Sequence, residues 1–501
     1  MITFASIVPK WSSGISLSVL VLKSYLMAMK PHLKTCVDSF FCEDNPVDIA
    51  GRLLSQKHRI FGFSVYVWNL ETASEVAGIL KQKTPGCLII WGGPVPCFSG
   101  RDIIEKNPDV DLIIKGEGEI PLEKVISEIQ DKNPDFSGIP NLVYRKNREV
   151  IETEVTDLVF ELENQHYLFD TRAVEGEKIV YYETSRGCAF QCNYCVWSVS
   201  QSKTKGVRDY PLDKVIPELQ GLFDIQGLEM LMLTDSNFLL GKDRTLKIFS
   251  VMNELNEKRR KKGWSMIKVS FEFNPEHLSD RMLQGLKKLC VDNYMIGLQS
   301  ANPVALKAAN RPFNKDRHLE NISKLRSVAG SPILAQIIYG LPADTYEGFK
   351  KTLEFVVSEL KADNLVCFRY SALPGSAFWN HREKYNIKHE AGPPYHILSS
   401  DTFSEQDLKR AELLSYYIQI IYRVFRSLTK YIGKKIHGNR IPVYEKIAQM
   451  FFEEYGDFLK PKLVYHDDFI KDVAKLLDPE NAVIRQKMLS NARYIVDISK
   501  K

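Results

Sequence analysis

Twice along its 501 residues the chain alternates short apolar runs with amphipathic stretches. In the first 135 residues, runs 2–8, 34–40, 60–67, 87–91 and 110–115 read as strands, and 15–29, 50–56, 72–83, 101–106 and 121–129 as helices. Most of these strands are almost continuously apolar, as happens when helices cover both faces of a parallel sheet. The pattern predicts a Rossmann-like, doubly wound α/β domain over 1–135, with its ligand beyond the carboxyl ends of the strands. The loops there are 9–14, 68–71, 92–100 and 116–119. Residues 136–177 read as a connector holding a charged hairpin at 142–155. A second alternation fills 178–375, with strands at 179–184, 230–234, 267–273, 294–298, 333–339 and 365–370, and helices at 212–223, 243–257, 280–289, 315–327 and 346–360. Six such units predict a partial (βα)6 barrel, whose site also lies at the strand C-termini. Residues 376–501 then read as a mainly helical domain, with helical periodicity over 404–458 and in the tail from 460.

Composition excludes several classes. Apolar residues make up 44% and charged residues 26%, which is incompatible with a disordered or collagenous chain. The formal charge of +5, from 67 basic and 62 acidic residues, is too even for a nucleic-acid binder. The apolar stretch 15–29 is short and interrupted by Ser16, Ser18, Lys23, Ser24 and Tyr25, so it reads as a core helix. These features predict a soluble, cytoplasmic protein with no membrane span. The chain shows no P-loop, Gly-x-Ser-x-Gly elbow or His-Glu-x-x-His zinc helix. The basic run Lys430, Lys434, Lys435, His437 and Arg440 reads as a solvated helix end, and Tyr416, Tyr417, Tyr422 and Phe425 as a helix core stripe. The Pro393-Pro394 loop with His389 and His396 reads equally as a lid over the barrel mouth or a linker.

Three of nine cysteines stand together, Cys188, Cys192 and Cys195, spaced Cys-x3-Cys-x2-Cys just after the first strand of the second alternation. Three thiolates on one short loop can hold three irons of a [4Fe–4S] cluster and leave the fourth iron open. Zinc would need a fourth ligand at short spacing, and no His lies within 20 residues on either side. Gly187 lets the chain turn sharply into the loop.

The triplet, with Tyr194 before its third cysteine, resembles the radical S-adenosylmethionine (SAM) signature. The resemblance continues through Phe271-Glu-Phe-Asn-Pro275, Gly297-Leu-Gln-Ser300 and Ile338-Tyr-Gly-Leu-Pro342, at the ends of later strands in the family's order. It implies that the open iron binds the amino and carboxylate groups of SAM, whose reductive cleavage yields a 5′-deoxyadenosyl radical. It further implies that Glu272 and Gln299 contact the cofactor's ribose or amino group, with Asp235 a weaker candidate for the ammonium. Related proteins often carry an Asp where Gln336 stands near the Tyr-Gly-Leu-Pro stretch. Arg311 reads either as the partner of a carboxylate or as a surface residue.

A Rossmann-like domain before such a barrel resembles the cobalamin-binding subclass. The matching pieces are Gly62-Phe-Ser-Val-Tyr-Val-Trp68, Gly92-Gly-Pro94 and Lys115-Gly-Glu-Gly-Glu119. By that resemblance Ser64, Trp68, Gly92, Gly93, Pro94, Gly116 and Glu117 are cobalamin-contact candidates. The Asp-x-His-x-x-Gly motif that often supplies a lower-axial His is absent; the domain has only His32 and His58. The resemblance implies methyl transfer to an unactivated carbon of a small molecule, such as a natural-product or lipid intermediate. It also implies an external reductant such as flavodoxin or ferredoxin. The alternatives are a cobalamin-associated cyclase, rearrangement catalyst or oxidant without methylation, and a non-catalytic iron–sulfur electron carrier or sensor.

Overall fold

The structure, a computed structural model, describes residues 1–10, 12, 14–131, 133–147, 149–156, 161–162, 169–197, 206–424 and 439–455. The first alternation folds as β1 (Ile2–Val8), α1 (Leu17–Met29), β2 (Thr35–Phe41), α2 (Pro46–Ser55), β3 (Ile60–Ser64), α3 (Leu70–Lys83), β4 (Leu88–Gly92), α4 (Pro94–Lys106), β5 (Leu112–Ile114) and α5 (Glu119–Glu128). Strand β1 is buried along its whole length because both sheet faces are covered. Ile2 and Phe4 face the layer containing α1 and α5, and Ala5 and Ile7 face the opposite core. Local chemistry sets several helix starts. In α2, Asn45 accepts from the Val47 amide and Pro46 occupies the first turn, where its missing N–H costs nothing.

The strand order is β2-β1-β3-β4-β5, all parallel, so the chain changes direction between β1 and β3. A crevice opens at such a switch point, beyond the strand C-termini. The hairpin placed in a connector is β6 (Leu142–Lys146) and β7 (Glu149–Glu152), which adds to β5 antiparallel and makes a seven-stranded sheet. The boundary expected at 135 therefore falls inside this sheet. Leu142, Val143 and Tyr144 are buried in its core, a contact that the charged look of the segment conceals. Residues 92–100, read as a loop, are helical from Pro94 onward.

The second alternation gives β8 (Ile179–Tyr182), a short pair β9 (Ser185–Arg186) and β10 (Arg208–Asp209), then α6 (Leu212–Phe223), β11 (Met230–Leu233), α7 (Lys242–Lys261), β12 (Lys268–Phe273), α8 (Asp280–Leu286), β13 (Val291–Gln299), α9 (Pro303–Ala308), α10 (Lys315–Val328), β14 (Ile333–Tyr339), α11 (Tyr346–Glu354) and β15 (Asn364–Arg369). Strands β8, β11, β12, β13, β14 and β15 form one six-stranded parallel sheet in sequential order, the partial barrel expected. One apolar core runs from the α1 face of the first sheet into the barrel, joining Val19 and Leu26 to Val180 and Tyr182.

Past 375, helices α12 (Glu405–Val424) and α13 (Ile441–Tyr455) pack on the barrel. Tyr417 is fully buried and Tyr416 half-buried against the same core, as a packing stripe requires. The tail beyond 455, most of the basic run and Phe425 lie outside the described residues. His389 packs its ring against Trp379, 4.7 Å between centroids, and the backbone of His396 bridges to Ser371. Among the described residues no helix is long and apolar enough to cross a membrane.

Candidate functional site

Strand ends build two cavities. The first, of about 400 Å³, sits in the barrel mouth and is lined by all three thiols, Cys188, Cys192 and Cys195, with Asp235, Glu272, Gln299 and Arg311. The cysteine loop is held from several sides. Asn193 donates its backbone amide to Ala309 O (2.9 Å) and its side-chain amide to Ala308 O (2.7 Å), and Ser236 Oγ donates to Gly187 O. The Cys195 amide turns back onto Cys192 O, and the Trp197 amide donates to Cys195 Sγ at 3.3 Å. Among the described residues no three His, Cys, Asp or Glu side chains converge on a single ion, and the three thiols share one cavity. A cubane, which takes each thiolate on its own iron, suits that arrangement.

Arg311 reaches into the cavity, where its charge opposes the upward shift of the Glu272 carboxyl, and among the described residues it makes no salt bridge. Its guanidinium donates to Cys192 Sγ (3.6 Å), to the Tyr194 hydroxyl (3.2 Å) and to Gly297 O. Burial pushes the Tyr194 phenol well up, which keeps it neutral and able to donate. Glu272 is exposed to the cavity, and desolvation by the surrounding protein raises its carboxyl above the usual range, with Gln336 and Arg311 opposing the shift. Gln336 donates to Glu272 Oε1 at 3.2 Å, so the residue standing near an expected Asp orients the neighbouring carboxylate. Gln299 lies at the cavity wall with φ +69°, at a register shift where β13 leaves β14.

Asp235 lines the same cavity, but its oxygens are already engaged. They accept from the Thr184 amide (3.0 Å), Thr184 Oγ1 (2.7 Å) and Ser185 Oγ (2.5 Å). Burial raises its carboxyl despite these donors. Standing just after β11, it ties down the residues that follow β8 and lead into the cysteine loop.

The second cavity, about 260 Å³, lies at the switch point of the first sheet. Ser64, Gly92, Gly93, Pro94, Gly116 and Glu117 line it, as the strand-end reading required, together with Ser18, Tyr66, Cys97 and Glu119. Gly93 has φ +104°, and a Cβ there would stand 2.6 Å from Val65 O, so only glycine fits this turn. Ser18 donates to Ser64 Oγ (2.7 Å), and the Gly116 amide donates to Cys97 Sγ (3.3 Å). Trp68 does not line the cavity. It is 45% exposed and stacks flat on Tyr66, 4.4 Å between ring centroids, and of the two it is Tyr66 that lines the cavity. An open, largely apolar cradle floored by backbone fits a large planar ligand.

The cavities meet. Trp197 and Thr234 line both, and Glu183 and Arg186 bring the base of the cysteine loop into the wall of the second. None of these four was legible as a site residue, although Trp197 lies two positions past Cys195. Proximity to the triplet was the signal available.

Residues 182–356 match the family described as the Radical SAM superfamily, and residues 21–126 match the B12 binding domain. The chain carries a radical SAM domain and a B12-binding domain. The thiol cavity falls in the radical SAM domain. The B12-binding domain supplies most of the second cradle. The chain is 24% identical over 339 residues to the cobalamin-dependent radical SAM methyltransferase TokK of Streptomyces tokunonensis. That match covers 63% of this chain and 47% of TokK, so the chain spans about half the length of that relative. Two solved structures share its fold over 99% of its length. One is the methyltransferase TsrM of Kitasatospora setae, with cobalamin and a [4Fe–4S] cluster bound (13% identity, TM-score 0.63, 99% of that chain). The other is OxsB, with aqua-cobalamin and SAM bound (15% identity, TM-score 0.66, 79% of that chain). At these identities the likeness is one of fold.

Proposed function

We propose that this protein is a radical SAM enzyme that uses cobalamin to transfer a methyl group to an unactivated carbon of a small molecule. The observation that carries the reading is the shared wall: Trp197 and Thr234 line both the thiol cavity and the switch-point cradle, so the two cavities are neighbours. When bound, a [4Fe–4S] cluster, SAM and cobalamin would supply radical formation and methyl carriage. The chain's residues hold and orient. Cys188, Cys192 and Cys195 take three irons and leave one open, and Arg311 braces Cys192 and Tyr194. Glu272, held by Gln336, and Gln299 present acceptors towards the ribose and amino group of SAM. Gly92, Gly93 and Gly116 let backbone approach a corrin face, with Ser64, Pro94 and Glu117 around it. A substrate placed at Trp197 and Thr234 would lie between the two cofactors, where orientation and exclusion of water matter most. Each turnover needs an external electron donor, such as flavodoxin or ferredoxin.

The test is anaerobic reconstitution with iron, sulfide and cobalamin, followed by SAM and a strong reductant. Both 5′-deoxyadenosine and S-adenosylhomocysteine are read by mass spectrometry. Both products, the second dependent on cobalamin, are expected. Deoxyadenosine alone would replace methyl transfer with a non-methylating radical reaction. No SAM binding to a cluster-loaded protein would favour an electron carrier and refute the proposal.

A further inference from the structure

Between the two cavities lies a buried cluster of charge. Arg186, only 8% exposed at its side chain and two residues before Cys188, donates Nε to Glu183 Oε1 at 2.8 Å. Its terminal nitrogens reach Glu119 and Glu183 at 2.7 Å each and Glu117 at 3.8 Å. Arg208, paired with Arg186 across β9 and β10, donates both terminal nitrogens to Glu117. The Tyr210 hydroxyl donates to Glu183 Oε1 at 2.9 Å, and its ring lies 5.8 Å from the Arg186 guanidinium carbon.

The carboxylates come from two places. Glu117 and Glu119 sit on the turn from β5 into α5, beside Gly116, and line the switch-point cradle. Glu183, Arg186 and Arg208 belong to the barrel, around the entry to the cysteine loop. Three carboxylates against two guanidiniums are buried at one joint. Such a group costs desolvation that a well-packed apolar joint would avoid, so it is weak evidence for stability. A guanidinium's rigid fork does fix geometry, because several hydrogen bonds leave one mutual orientation.

We propose that Arg186 is a positioning residue that fixes the cysteine loop relative to the corrin-cradling turn, so that the cluster and cobalamin sit at one set separation. The inference rests on the two-cofactor reading above. Arg186 touches neither reacting group; it acts through Glu119 and Glu117 on one side and through Gly187–Cys188 on the other. The arrangement predicts that losing the fork leaves each cofactor bound while loosening their mutual placement.

The experiment uses the full chain loaded with the [4Fe–4S] cluster and hydroxocobalamin, both reduced to paramagnetic states. The readout is the dipolar broadening of the cob(II)alamin electron paramagnetic resonance signal by the reduced cluster. The wild type should show a single, narrow interaction. In Arg186→Gln the distribution should widen at least about twofold, since sites lose function once their support slackens by about 1 Å. Iron and cobalamin content should stay near wild type. A merely structural role would lower melting temperature and loading but leave the interaction unchanged in the loaded fraction. Should Arg186→Gln fail to fold, Glu119→Gln, which preserves shape and the Glu183 bonds, decides the matter in the same way. Wild-type interaction in cofactor-loaded Arg186→Gln, or in Glu119→Gln where only that variant folds, overturns the inference alone. Failure of the wild type to take up both cofactors overturns the two-cofactor reading itself, and the inference with it.

Discussion

Replacing Gly187 by Ala tests whether the cysteine loop depends on one backbone turn. Gly187 has φ +94°, and a Cβ built there would stand 2.1 Å from Gly206 O and 3.1 Å from Gly206 C. Real Cβ atoms essentially never approach within 3.0 Å, so the 206–207 backbone must retreat by about 0.9 Å. That retreat pulls on β10, where Arg208 is paired with Arg186 and bound to Glu117. The left-handed backbone costs about 1–3 kcal/mol for a residue with a Cβ. Weakening one hydrogen bond adds about 0.5–1.5 kcal/mol, giving about 1.5–4.5 kcal/mol in all. A domain stable by about 5–15 kcal/mol remains folded after that loss. The expected outcome is a folded apoprotein, about 1.5–4.5 kcal/mol less stable in denaturant, with reduced iron and sulfide per chain after anaerobic reconstitution. The control is Gly51→Ala in α2, where an added Cβ meets nothing within 4 Å and should stabilise by about 0.5–1 kcal/mol. A Gly187→Ala protein with full cluster content and wild-type stability would refute the argument that this turn sets the loop.

Cys192→Ala should abolish the brown [4Fe–4S] absorption, and a retained cluster spectrum would contradict the ligand assignment. Arg311→Gln removes a cation from Cys192 Sγ, so the cluster potential should fall, by up to about 60 mV for about 1.4 kcal/mol of lost preference for the reduced state; an unchanged potentiometric midpoint would dismiss that role. Burial raises the Glu272 carboxyl, so over the interval between its ordinary and raised values the native state holds a proton that the unfolded chain has released. Stability therefore falls as pH rises through that interval. Cofactor-free Glu272→Gln should exceed the wild type by a margin that widens from acid to neutral pH in denaturant titrations; a constant margin would contradict the assigned cause. Trp68→Ala should leave hydroxocobalamin affinity within about twofold, because the ring lies outside the cradle; a large loss by calorimetry would return Trp68 to the site.

The two alternations were readable because burial on both faces writes itself into contiguous apolar residues. Strand β1 occupies the expected span, and the barrel strands differ from expectation only at their ends. The cysteine triplet was readable because one loop carries all three ligands. The hairpin at β6 and β7 was misplaced since Lys146 and Glu149 advertise solvent, while Leu142 and Val143 beside them complete a sheet begun far upstream. The anchoring of Thr184 and Ser185 by Asp235 was not legible, because nothing in a sequence counts how many donors a carboxylate already accepts.

By itself, the sequence determined the strand–helix order, the chemistry of the thiol loop and the glycine-rich strand ends. All three are properties of neighbouring residues, set by side-chain polarity, spacing and backbone freedom. Only the tertiary structure decided that Arg311 reaches back over more than a hundred residues to Cys192, that Glu117 and Glu119 of the first domain clasp Arg186 and Arg208 of the second, and that Trp197 and Thr234 line two neighbouring cavities at once. Those pairings depend on how sheets and helices pack in three dimensions, and no local pattern along the chain records which distant groups that packing brings together.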